Sequence, residues 1–171
     1  LLFFRGFCYP GGKRKEALYM FREPELKDRE ILAALIDEFY HSDGVLHPIP
    51  KAYIQRTLDA LFTGNPFIKA YMIEKNHEIA GYALLALTWS NEGGGLTLWI
   101  EELYILPQFQ GQGLGKAFFH FLHQEWDGKI ARFRLETEPG NERARRLYEE
   151  LGYEAFPYLQ MIREPNPITE E

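Results

Sequence analysis

The residues that most limit what this chain can fold into run Ile100-Glu-Glu-Leu-Tyr-Ile-Leu-Pro-Gln-Phe-Gln-Gly-Gln-Gly-Leu-Gly-Lys-Ala-Phe-Phe-His-Phe-Leu-His123. They read as strand, tight turn, helix. Leu103, Tyr104 and Ile105 close the strand, and Pro107, with no N–H to donate, ends its pairing. Gly111, Gly113 and Gly115 follow at alternate positions, and Phe118, Phe119 and Leu122 set an apolar helical face behind them. Glycines at such a junction let backbone approach a ligand without a Cβ in the way. The helix that follows presents unpaired N–H groups and the positive end of its dipole. Together these features predict an anion site, most naturally for phosphate, over Gly111, Gln112, Gly113, Leu114, Gly115 and Lys116.

The rest of the chain must supply a sheet for that strand. Its 171 residues suit one domain with its own core. Residues 1–15 are expected to be an N-terminal extension, either a fragment end or an added segment, with residues 16–164 the domain and 165–171 a polar tail. Residues 17–22 alternate as a short strand. Residues 27–40 predict a helix with Ile31, Leu32, Leu35, Ile36 and Phe39 inward, ended near Gly44. A second helix over 51–62 turns Tyr53, Ile54, Leu58 and Leu61 inward.

The period then changes to two. Strands are expected over 67–74, 78–89 and 96–105, joined by Lys75-Asn76-His77 and by the Asn91–Gly95 loop. Gly81 inside the second of these marks a bulge or a close approach. A helix over 113–126 and a strand over 130–137 complete a βαβ crossover, so the strands at 96–105 and 130–137 should be parallel neighbours. A helix over 142–151, with Asn141 as its N-cap and Gly152 as its stop, precedes one or two closing strands around Pro157. The sum is an α/β domain: a mixed sheet of about seven strands with helices on both faces.

Composition narrows the function. The net charge of -6 argues against a partner that is a nucleic-acid backbone and is compatible with a cationic amine. The lone Cys8 allows no internal disulfide and no thiol cluster, which fits a reducing cytoplasm. No apolar run approaches the roughly 20 residues of a membrane span. His41, Asp43 and His47 lie close in sequence, but a third ligand at sensible spacing is missing, so no metal is expected.

The glycine turn lacks the spacing of a dinucleotide fingerprint, and Gly115-Lys116 is followed by Ala117 where a P-loop needs Ser or Thr. A second pattern lies further on: Asn141-x-x-Ala144-x-x-Leu147-Tyr148-x-x-x-Gly152-Tyr153. Helical spacing puts Ala144, Leu147, Tyr148 and Leu151 on one side. Together with Gln110-x-x-Gly113-x-Gly115, this pattern closely resembles the GNAT superfamily of N-acetyltransferases, most strongly from Ile100 to Tyr153. Gln110 stands where many members carry Arg.

The resemblance implies a GNAT-like, mostly antiparallel sheet whose central parallel pair splays apart. It implies acetyl-CoA as co-substrate, with the diphosphate on Gln110 and the Gly111–Lys116 turn. The pantetheine arm would lie along Leu103, Tyr104 and Ile105 like a missing strand. Asn141 and Ala144 would meet the cofactor arm, and Tyr148 would sit beside the thioester sulfur and protonate the leaving thiolate. A homodimer is compatible with it.

Acetyl transfer to an amine needs a neutral nitrogen, an oxyanion donor and a proton for sulfur. An alkylammonium titrates near pH ~10, so a carboxylate must help to remove its proton at neutral pH. Glu101 and Glu102 are the candidates. Adjacent strand residues point oppositely, so one of them enters the cleft unless a bulge intervenes. By similarity to the diamine-acetylating branch, Glu101 would be base and Glu102 a cation anchor, and the sequence leaves the reverse open. Tyr40, Trp89 and Tyr158 are candidates to shape the acceptor pocket, and Glu136 is a further carboxylate near it. The expected activity is acetyl transfer from acetyl-CoA to a primary amine of a small molecule or peptide in a ternary complex. The alternative is an acyl-CoA-sensing domain without catalysis.

Overall fold

Each strand pairs with the next one in the chain. β1 (Tyr19–Arg22), β2 (Ile68–Lys75), β3 (Glu78–Ser90) and β4 (Gly95–Ile105) are antiparallel neighbours, and β5 (Arg132–Leu135) lies parallel to β4. The computed structural model describes residues 18–42, 45 and 47–163. The chain divides into two compact units between Pro139 and Gly140. The sheet, α1 (Arg29–Phe39), α2 (Lys51–Phe62) and α3 (Leu114–Trp126) belong to the first, and α4 (Glu142–Glu150) belongs to the second.

Strand alternation sorts the core into two layers. On one face of the sheet Ala70, Met72, Tyr82, Leu84 and Tyr104 pack against Leu32, Leu35 and Ile36 of α1 and Ile54 and Leu58 of α2. On the other, Phe21 and Tyr71 meet α3, with ring centroids 5.6 Å (Phe21–Phe118), 5.1 Å (Phe21–Phe121) and 6.0 Å (Tyr71–Phe118) apart. The many aromatics thus form a thick core. Burying each such ring stabilises the fold by about 1.5–3 kcal/mol.

The β2–β3 hairpin turns on Asn76 and His77, both at positive φ (51° and 69°). That is the backbone a two-residue hairpin of this twist requires. At the open end of β1, Arg22 donates to Glu74 (2.7 Å) and to both oxygens of Asp28 (2.6 and 3.0 Å). One guanidinium thus gives two buried carboxylates a charged partner.

Two bulges interrupt β3 and β4. Ile73 faces Gly81 and Glu74 faces Ile79, so Ala80 is the extra residue in β3. Leu84 faces Glu102 and Leu85 faces Ile100, so Glu101 is the extra residue in β4. Gly81 is also a place of close approach: a Cβ there would lie 2.0 Å from the carbonyl oxygen of Tyr104.

The expected elements are present with three corrections. Five strands form among the described residues where about seven are expected, and residues 153–163 carry no strand around Pro157. Ile31 and Tyr53, expected inward, are exposed, because each lies at the rim of its helix's apolar stripe. The Tyr53 ring packs instead under the Arg56 guanidinium, 4.6 Å from ring centre. Asp43 and Gly44 lie outside the described residues.

Candidate active site

The parallel pairing of β4 and β5 runs Thr97↔Arg132, Leu98↔Phe133, Trp99↔Arg134 and Ile100↔Leu135, and stops there. β4 continues for another five residues, Glu101 to Ile105, with β3 alone beside it in the sheet. The last residue paired to β5 is thus immediately before the bulge at Glu101. A bulge adds local twist and bends its strand, which is one way to part neighbours.

Beyond β4 the chain makes a short 3-10 turn, Pro107–Phe109, and reaches the glycines. Gly111 and Gly113 have φ of 71° and 84°, a left-handed conformation that Gly alone adopts without strain. Gly113 is the N-cap of α3, and the first helical bond is from the Ala117 N–H to the Gly113 carbonyl (2.9 Å). The N–H groups of Leu114 and Gly115, ahead of that first bond, therefore have no partner within the helix. Gly111, Gln112 and Gly113 are exposed, while Leu114 is buried and pins the helix start to the core.

Two side chains tie this turn to backbone carbonyls. Gln110 Nε2 donates to the Ile105 carbonyl (2.9 Å), closing the loop on the strand it left. Gln112 Nε2 donates to the Gln108 carbonyl (2.7 Å).

Glu101 and Glu102 have different surroundings. Glu102 is buried, and its two oxygens accept from Tyr40 Oη (2.8 Å) and Tyr82 Oη (2.6 Å). Burial pushes its carboxyl above the usual range, the two phenols oppose that, and the Glu101 charge adds to it. The same contact, with burial first, raises both phenols well above their ordinary value. Tyr104 continues the cluster, donating to Glu38 (2.8 Å), and burial with that bond pushes it up to about 12.

Glu101 stays open to solvent. The protein around its carboxyl, together with Glu136, raises its pKa. Glu136 is the first residue after β5. One carboxylate therefore follows each of the last paired residues, Ile100 and Leu135.

In the second unit, α4 is capped at both ends by the residues of its own motif. Asn141 Oδ1 accepts from the Ala144 N–H (3.1 Å). Gly152, at φ 86°, ends the helix with bonds from its N–H to Glu149 (3.1 Å) and from the Tyr153 N–H to Tyr148 (2.9 Å). Ala144, Leu147, Tyr148 and Leu151 are the half-buried positions, matching the expected single face. Burial raises the Tyr148 phenol, and its ring lies 6.1 Å from that of Tyr153.

Other residues singled out in the sequence fall elsewhere. Trp89 and Tyr158 are largely exposed, and of the three candidate pocket aromatics only Tyr40 joins the carboxylate cluster. His123 is half-buried against Phe133, with ring centroids 4.6 Å apart. Tyr82, which completes the Glu102 pair, is not identifiable from the sequence as more than a core residue. Its offset of 20 residues from Glu102 fits the β3–β4 hairpin register, but the bulge at Glu101 hides which carboxylate it meets. No group of three metal-ligating side chains occurs among the described residues, and no helix among them is long and apolar enough to cross a membrane.

Among the described residues the parallel pair lies at one edge of the sheet, not at its centre as expected, and its pairing stops at Ile100, ahead of the glycine turn at a helix start. The family model described as "Acetyltransferase (GNAT) family" matches residues 29–153, and the chain belongs to that family. It is similar to the thialysine N-epsilon-acetyltransferase of Mus musculus, with 28% identity over 103 residues. That match covers 53% of this chain and spans 58% of the mouse protein's length. Its fold is similar to that of an integron cassette protein from the mobile metagenome of Cole Harbour Salt Marsh. There the TM-score is 0.72 and the identity 25%, over 86% of this chain and 91% of the other. It also superimposes on a predicted acetyltransferase of Clostridium acetobutylicum whose structure contains acetyl-CoA. The TM-score is 0.70 and the identity 17%, over 85% and 96% of the two chains.

Proposed function

We propose that the protein is an acetyl-CoA-dependent N-acetyltransferase that acetylates a primary amine of a small molecule or peptide by direct attack in a ternary complex. One observation carries this reading. The pairing of β4 with β5 ends at Ile100, and the strand that is freed leads straight into a turn whose helix-start amides lack intrahelical partners. A ligand with an extended polar arm and a diphosphate matches that order of features.

In this reading the diphosphate rests on Gln110 to Lys116, the arm lies beside Leu103, Tyr104 and Ile105, and Asn141 and Ala144 meet it from α4. Asn141 spends its side-chain oxygen on the helix cap and keeps its amide N–H groups for the ligand. Glu101 is the base. It is solvent-open, it sits at the bulge, and its raised pKa brings it nearer the range a general base needs. Glu102 already accepts two phenolic bonds, so its part is to hold Tyr40 and Tyr82 in place.

The chemistry then balances. Glu101, through water, takes a proton from the ammonium. The nitrogen lone pair attacks the thioester carbon, and the oxyanion is met by a backbone N–H near Leu103 or Tyr104. The C–S bond breaks, the sulfur takes a proton from Tyr148, the second proton shed by the nitrogen returns through water to that phenolate, and an amide and free CoA leave. A phenol with a raised pKa remains protonated at neutral pH, as that donor must be. An amine panel assayed by thiol release from acetyl-CoA tests this. Acetylation of at least one amine is expected. Tight CoA binding with no acetyl transfer would instead establish a sensing domain.

A further inference from the structure

Gln112 is held from two directions that the glycine motif does not include. Tyr19 Oη, on β1, donates to its backbone carbonyl at 2.9 Å. Lys75 Nζ, on β2, donates to its side-chain Oε1. Tyr19 and Lys75 are direct partners in the β1–β2 register, so the two bonds come from one rung of the sheet. That rung is itself fixed. Leu18 and Asn76, one position further along, exchange two bonds: Leu18 N–H to Asn76 Oδ1 (3.2 Å) and Asn76 N–H to the Leu18 carbonyl (2.8 Å). Lys75 is also the last residue before the tight Asn76-His77 turn.

We infer that Tyr19 and Lys75 are positioning residues for the cofactor turn, acting through Gln112. This rests on the acetyl-CoA reading above. The turn has two glycines in left-handed conformations, and glycine segments have large backbone freedom to lose. Gln112 lies between those two glycines. Fixing both its carbonyl and its side chain sets the direction of the peptide groups on either side, and hence of the amides offered to the diphosphate. The clasp costs the site nothing, since it takes a carbonyl and a side-chain oxygen and no N–H. Lys75 also brings a positive charge to the turn, and no carboxylate among the described residues forms an ion pair with it.

The test uses Tyr19→Phe, Lys75→Met, Lys75→Arg and the Phe/Met double variant in the full chain. Without ligand, hydrogen exchange of the amides from Gly111 to Lys116 should quicken in Tyr19→Phe and Lys75→Met, and be largely restored in Lys75→Arg. With CoA, calorimetry should show binding weakened about fivefold for each single change. The double variant should lose less than the product of the two, because both act on one residue. In the acetylation assay KM for acetyl-CoA should rise with kcat unchanged. Unaltered exchange and unaltered CoA affinity in both single variants would overturn the clasp. Failure of the wild type to bind CoA would overturn the acetyl-CoA reading, and the ligand-free exchange would still decide whether the turn is clasped.

Discussion

Around Glu102 every polar group has a partner: the carboxyl holds two phenols, and a third phenol alongside holds Glu38. At the Gly111–Lys116 turn the Gln110 and Gln112 side chains donate to backbone carbonyls, of Ile105 and Gln108. Both regions lie against β4, one on its α1 face and one past its end. The difference shows how one strand can serve two purposes. A buried charge must be answered by the protein itself, since nothing else will reach it. Amides at a helix start lack intrahelical acceptors and can be met by water or by a ligand.

The sharpest way to break this contrast is to fill the open region. Gly113→Glu forces a side chain into a left-handed position and puts negative charge where the diphosphate should lie. CoA affinity measured by calorimetry should fall at least about 100-fold, since an opposing charge is added and the backbone is strained. The second-largest effect is expected at the thiolate. Tyr148→Phe should lower kcat by about 100-fold or more, the scale of general-acid catalysis, with the Kd for CoA unchanged. An unaltered kcat across the pH range would remove Tyr148 from the chemistry.

Two smaller effects probe the closed region. Gly81→Ala puts a methyl 2.0 Å from the Tyr104 carbonyl, so backbone must move in the strand that joins the two regions. A loss of about 1–3 kcal/mol in urea unfolding is expected. Glu102→Gln tests the buried carboxyl. Its folded pKa is raised, so its protonated form favours the fold: that contribution is present below the unfolded pKa and is lost as pH rises through the folded one. Unfolding free energy of the wild type should therefore decline over that window relative to Glu102→Gln. The same substitution at Glu101 should lower kcat and abolish the acid limb of the pH profile. If Glu102→Gln removed that limb and Glu101→Gln spared it, the roles would be reversed.

Much of this was open to a reader of the sequence, for definite reasons. Gly111 and Gly113 announce positive φ, and Phe118, Phe119 and Leu122 repeat at helical spacing, so the turn and α3 could be placed to within a residue. Asn141 and Gly152 are cap residues by chemistry, and they cap α4. Glu101 and Glu102 could be named but not told apart, because a bulge is a mismatch between two strands and neither strand alone reveals it. The phenols on Glu102 and the clasp on Gln112 were hidden for a related reason. Tyr40, Tyr82, Tyr19 and Lys75 reach their partners across 62, 20, 93 and 37 residues, and only register brings them near. The closing strands expected around Pro157 rested on alternation over a stretch with a proline in it, and no strand forms in the described residues there.

Hydrogen exchange with and without saturating CoA tests the central claim most directly. Binding should slow exchange in two places: at Leu103 to Ile105, where β4 has no β5 partner, and at Leu114 to Lys116, where α3 begins. Slowing at neither place, with CoA shown by calorimetry to be bound, would mean that the ligand lies elsewhere and that the end of β4 beyond Ile100 is not its site.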